Sequence, residues 1–164
     1  MLVTLRHLLS ILLLPFLVVV VVPYGLLTAF SVGDNPTTGW LRLAGAVLLV
    51  GGLGLFSWCV SLFARVGRGT LAPWDPTRNL VAIGPYRYVR NPMISGVALM
   101  LLGQALFWPS LAIGIWAGVF ILINHLYFVF SEEPGLERRF GESYRRYKAT
   151  VPRWLPRLPF RNGN

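Results

Sequence analysis

At 164 residues, with 55% hydrophobic residues and a formal net charge of +9, the chain fits a single domain but not an ordinary soluble one, and its mean hydropathy is +0.61. Nucleic acid is not the expected partner. The arginines lie between and after long apolar runs, where basic residues mark the cytoplasmic side of a membrane protein. The single cysteine, Cys59, excludes a disulfide framework and a thiolate metal cluster; its apolar surroundings predict an inert buried thiol, and no metal site is expected.

The first apolar run, residues 8–30, exceeds the roughly 7–15 residues of a signal-peptide core, and no small-x-small cleavage site follows it. It reads as a retained span kinked at Pro15 and Pro23. A polar loop over residues 31–39 carries one acid and no base. The second span covers 40–64, and residues 65–92 form a cytoplasmic loop rich in arginine. A third segment, 93–108, is short for a crossing that needs roughly 20 residues. The tight turn at Trp108-Pro109-Ser110 leads into a fourth span over 110–130, so the third and fourth segments form a hairpin.

The tail, 131–164, holds eight basic and four acidic residues. Its Leu136, Phe140, Tyr144 and Tyr147 recur at helical spacing, Pro134 suits a first helical turn, and Pro152 suits the end. This predicts an amphipathic helix that could lie on anionic headgroups. The basic loops place both termini on the cytoplasmic side. The expected architecture is an all-α integral membrane protein, one domain over 1–164, with four apolar helical segments and a C-terminal amphipathic helix.

Glycines at 51, 52 and 54, and the Gly114-x-x-x-Gly118 pair, suggest close helix packing. Gly67 to Ala72 fits G-x-G-x-x-A, but no strand precedes it and Pro73 follows, so a dinucleotide fold is rejected. His125, beside Asn124 in the fourth span, is either a functional ionisable group or a neutral histidine bonded to a neighbouring helix.

Chemistry concentrates elsewhere. Glu132 and Glu133 stand at the cytoplasmic end of the fourth span, and acids gain nothing from an anionic surface. They could cap the following helix. They could instead face Arg87 and Arg90 across a pocket that also offers the faces of Tyr86, Tyr88, Tyr144 and Tyr147.

The stretch GPYRYVRNPMISG, residues 84–96, followed about 35 residues later by EEPGLERRFGESYRRYKATVPRWLP, resembles the isoprenylcysteine carboxyl methyltransferase family and its phospholipid methyltransferase relatives. Gly84, Pro85, Tyr86, Arg90, Pro92 and Gly96 match the first block of that pattern. Glu132, Glu133 and Leu136 match the second, and Phe140, Gly141, Tyr144, Tyr147 and Arg153 the third. The likeness extends from about Gly69 to Pro156. Asn91 stands where a histidine is often found, and Ile94 replaces a tyrosine.

The resemblance implies S-adenosylmethionine as cofactor, bound by Tyr86, Tyr88, Asn91, Pro92, Gly96, Glu132, Glu133, Tyr144 and Tyr147. Its ammonium needs a carboxylate and its carboxylate a cation; its sulfonium suits aromatic faces. Arg87 or Arg90 would orient a carboxylate acceptor, which needs no base, whereas an amine acceptor would need one, such as Glu133. The expected reaction is carboxyl O-methylation of a lipid-like, isoprenylcysteine-type substrate entering from the bilayer, with the active site on the cytoplasmic side of a bacterial inner membrane. The alternatives are N-methylation of a phospholipid amine, an NADPH-dependent sterol-type reductase, and a non-enzymatic protein whose tail grips membrane lipids.

Overall fold

The computed structural model describes residues 13–30, 39–62, 65, 80 and 82–156. The start of the first span, the polar loop at 31–38, most of the 65–92 loop (the G-x-G-x-x-A stretch included) and both termini lie outside the described residues. Every regular element among the described residues is helical. We label the helices α1 (Leu13–Ala29), α2 (Gly39–Leu62), α3 (Pro92–Phe107), α4 (Leu111–Phe140) and α5 (Glu142–Thr150).

Two of them, α2 and α4, are long and apolar enough to cross a membrane, while α1 and α3 are shorter apolar helices. At 1.5 Å per residue, the 24 residues of α2 extend about 36 Å. The outward residues of α2 include Trp40, Leu43, Val47, Val50 and Trp58, all exposed. That is the inverse of a soluble helix and suits a helix solvated by lipid.

Lipid supplies no hydrophobic drive for one helix to meet another, so close backbone approach must substitute. Gly45 and Gly52 of α2 face Gly103 and Gly96 of α3. A Cβ on Gly52 would lie 2.6 Å from the Gly96 carbonyl oxygen, and one on Gly103 would lie 2.7 Å from that of Gly45. Two glycine pairs, each seven residues from the next, thus set the α2–α3 seam. The glycines read from the sequence as packing residues divide accordingly: Gly52 is in the seam. Gly51, Gly54 and Gly118 have open space around their α-carbons, and Gly114 meets only the Ala105 Cβ, at 4.0 Å. The G-x-x-x-G of the fourth span is therefore not a close helix contact among the described residues.

A second device joins α1 to the bundle. Pro23 has no N–H, so it can serve neither the Val19 carbonyl four residues back nor the Val18 carbonyl five back. The helix is wound as a π-turn over Leu17–Val21. Those two carbonyls accept instead from neighbours: the Trp116 indole N–H reaches Val18 O at 3.0 Å and Gln104 Nε2 reaches Val19 O at 2.8 Å. Phe56, Val97, Met100, Leu101, Ala117 and Phe120 fill the core between α2, α3 and α4. The α3–α4 hairpin closes with Ser110, whose hydroxyl accepts from the Ile113 amide at the start of α4.

The helical tail departs from expectation in one respect. No new helix starts at Pro134: α4 continues through a second π-turn, Phe128–Glu132, and runs on to Phe140. Across the π-turn, just before the proline, the Glu133 amide donates to Phe128 O. The break comes at Gly141, where φ is +54°, a conformation that favours glycine, and α5 follows.

The seam predicts a sharp positional contrast. Gly52→Ala should destabilise the detergent-solubilised protein by about 2 kcal/mol, as overpacking does. Gly51→Ala, one residue away with open space for a Cβ, should not destabilise and should gain up to about 1 kcal/mol from helix propensity. Thermal unfolding of the two variants measures the difference.

Candidate active site

The apolar part of α4 stops at Phe130, and the helix emerges with Glu132 and Glu133. Glu133 is buried, its side chain only 6% exposed. Three cations surround it. Arg90 Nη1 lies 2.8 Å and Arg153 Nε 2.7 Å from Oε1, and Lys148 Nζ lies 3.3 Å from Oε2. A carboxylate taken out of water needs such pairing.

The local chain explains how the partners arrive. Gly84, at φ +57°, opens a 3₁₀ turn over Gly84–Arg87, where a Cβ would also approach the Leu62 side chain at 2.8 Å. The turn buries Tyr86 against Cys59. Arg90 follows just before Pro92 opens α3. The segment after α5 then folds back. The Arg90 amide donates to Pro152 O at 2.9 Å, and the Tyr147 hydroxyl donates to Tyr86 O at 2.7 Å. The Trp154 indole donates to His125 Nδ1 at 3.1 Å, with its ring against Phe128. This gives His125 a structural partner in the tail.

Six of the sequence-predicted residues are gathered here: Tyr86, Arg90, Glu132, Glu133, Tyr144 and Tyr147. Tyr144 is fully buried beside the Arg90–Glu133 pair, both of whose charges act on its hydroxyl. Asn91 precedes α3 and its carbonyl accepts from the Ser95 amide and hydroxyl; Pro92 is buried in the first turn. Arg87 and Tyr88 are exposed. Gly96 lies in the α2–α3 seam, where Gly52 and Phe56 account for a glycine without any ligand. Sequence reasoning did not find Lys148 as a partner of Glu133, and it reached Arg153 only as a motif match. Their long separations from Glu133 in the chain give no periodic signal.

The group left over is Glu132. It is half-buried, and among the described residues no hydrogen bond or ion pair engages its carboxylate. Within the same cluster, Arg90 Nε is buried without an acceptor among the described residues. An open carboxylate and an unspent guanidinium N–H therefore accompany Glu133.

A family model described as phospholipid methyltransferase matches residues 40–143, which include Arg90, Glu132 and Glu133. The chain belongs to the phospholipid methyltransferase family. It is also similar to an uncharacterized protein of Haemophilus influenzae (strain ATCC 51907 / DSM 11121 / KW20 / Rd). The two are 43% identical over 54 residues, which cover 33% of this chain and 76% of that protein. No solved structure matches significantly. The family is one of methyltransferases, so the chain is a methyltransferase-family membrane protein. The tail cations Lys148 and Arg153 lie beyond the matched residues.

The two adjacent acids have opposite electrostatics. Burial pushes the Glu133 carboxyl up, but the hydrogen bond from Arg153 and the charges of Arg90 and Arg153 outweigh it and hold the group below the ordinary carboxylate range. Burial, with the Glu133 charge alongside, pushes Glu132 up to about 7. Burial likewise raises the Tyr86, Tyr144 and Tyr147 hydroxyls, which stay neutral at physiological pH.

These shifts act on stability in opposite directions. The contribution of Glu133 is complete above the ordinary carboxylate pKa and is lost as pH falls through its lowered value. The contribution of Glu132 is complete below the ordinary pKa and is lost as pH rises through about 7. Glu133→Ala, which leaves the nearly buried Arg90 without its carboxylate, should cost about 3 kcal/mol at neutral pH. Glu132→Gln should raise the melting temperature relative to the parent above pH 7 and not at pH 5. Melting curves across pH test both.

Proposed function

We propose that the protein transfers a methyl group from S-adenosylmethionine to the polar head of a lipid-like acceptor, at the end of α4 where the apolar stretch stops. The observation that carries this reading is the pairing of an unengaged carboxylate, Glu132, with a buried guanidinium N–H that lacks an acceptor, Arg90 Nε, in a methyltransferase family. The cofactor's amino-acid end carries an ammonium and a carboxylate, and these two groups answer that charge pattern. When bound, the cofactor supplies an electrophilic methyl on a sulfonium.

The chain's own residues would then bind and orient. Glu132 would hold the ammonium and Arg90 the carboxylate. Glu133 would fix Arg90 by its 2.8 Å ion pair. Tyr144, buried beside Arg90, and Tyr147, bonded to the Tyr86 carbonyl, would exclude water from one side. Methyl transfer from a sulfonium is an in-line displacement, so such positioning supplies much of the rate. An already ionised carboxylate of an isoprenylcysteine-type acceptor needs nothing further except a cation, for which exposed Arg87 is the candidate.

A second reading, N-methylation of a lipid amine, is favoured by a specific observation. Glu132, raised to about 7, has the proton affinity that a general base needs at neutral pH. In that case it receives the proton of the acceptor ammonium and leaves cofactor binding to other groups.

Radiolabelled methyl transfer by protein in proteoliposomes, with prenylcysteine and aminophospholipid acceptors offered separately, tests the proposal. Incorporation into either supports it, and none into any lipid by a folded protein overturns it. The amine reading requires a rate that climbs through pH 7, and Glu132→Gln should abolish that rise and lower the rate about 10²–10⁴-fold. In the carboxylate reading, the same variant weakens cofactor binding, and at saturating S-adenosylmethionine it leaves the rate and the shape of its pH profile unchanged.

A further inference from the structure

Beside the Glu133 cluster, between α4 and α5, lies a shallow hollow of about 330 Å³ lined by Val129, Pro134, Glu137, Arg138, Arg145 and Lys148. Of these, Lys148 is the one whose side chain also forms an ion pair with Glu133. We propose that this hollow is a binding site for a phosphate group, presented by the headgroup of an anionic membrane lipid, and that it is separate from the methyl-transfer site.

Three features carry the assignment. The first is charge: three cations face one carboxylate, and Arg138 is exposed with no ion pair among the described residues. Arg145 bonds Glu137 at 2.9 Å and lies 3.8 Å from Glu142, but its side chain is 63% exposed, so these surface pairs can yield N–H groups to an anion. Arginine offers several donors in a planar fork suited to phosphate. The second is position. Val129 and Pro134 form the apolar edge of the hollow, and Phe130, 75% exposed, stands at the last apolar turn of α4. A phosphate here would sit at headgroup depth with its chains beside Phe130. The third is linkage. Lys148 Nζ lies 3.3 Å from Glu133 and 3.9 Å from Glu137, so an anion in the hollow competes with Glu133 for the same ammonium. Lipid binding would thus loosen one of the three cations that hold Glu133.

The proposal rests on the membrane location and not on methyl transfer, so it stands or falls separately from the proposed activity. Native mass spectrometry of the full chain in detergent, titrated with phosphatidylglycerol or phosphatidylcholine, provides the test. The anionic lipid should be retained about tenfold or more in preference to the zwitterionic one. The double variant Arg138→Gln/Arg145→Gln should erase that preference, and Arg138→Lys/Arg145→Lys should keep most of it. Should the double variant fold poorly, Arg138→Gln alone, at an exposed position, should still reduce the preference. Competition by millimolar inorganic phosphate, with the same dependence on Arg138 and Arg145, would support the phosphate site and assign it to a soluble ligand. Equal retention of both lipids, or a preference unaltered by the neutral variants, would overturn it.

Discussion

The polar end of this molecule is organised around one buried carboxylate. Glu133 emerges from the apolar part of α4 into a place with little water, and an ion there must be paired or it shifts its proton affinity. Its partners come from both sides: Arg90 from the segment before α3, and Lys148 and Arg153 from the tail. The bonds that accompany them, Arg90 N to Pro152 O and Tyr147 to Tyr86 O, fasten the tail over the same place. Adjacent Glu132 gains no such partner among the described residues, and that asymmetry distinguishes a structural acid from one free for a ligand or a proton.

The helices beneath are assembled by means suited to lipid. The α2–α3 seam depends on glycines that bring backbone to backbone. α1 is attached through carbonyls that Pro23 leaves without a donor. Both π-turns, Leu17–Val21 and Phe128–Glu132, are followed by a proline two residues beyond their end. In the first, the freed acceptors are used for helix association. In the second, the extra residue shifts the register of α4 just where the two acids leave the apolar stretch. Single π-turns inside helices often coincide with functional sites, and here the turn adjoins the acidic pair.

Much of this was legible in the sequence because it depends on local composition. The apolar runs, the basic loop and the acid pair at the foot of an uncharged helix each carry a chemical reason that needs no tertiary knowledge. What was not legible depends on distant meetings. Gly45 and Gly103 look no different in the sequence from Gly51 or Gly118, and only the crossing of α2 and α3 separates them. Pro134 carries the usual mark of a helix start, yet the π-turn before it lets α4 run on, and Gly141 makes the break. Glu133 meets Lys148 and Arg153, and His125 meets Trp154, only because the chain turns back after α5. Neither helical periodicity nor motif spacing encodes that return. Gly96, which matches a cofactor-linked motif, has a packing reason of its own in the seam.

The account turns on whether the Glu132–Arg90 end of the site holds a sulfonium cofactor. Calorimetric titration of the purified protein with S-adenosylmethionine tests this most directly, with NADPH in parallel and Glu132→Ala as the comparison. S-adenosylmethionine should bind saturably and much more weakly in the variant, and NADPH should not bind. Binding of NADPH alone, or no binding of either by a folded protein, would contradict it.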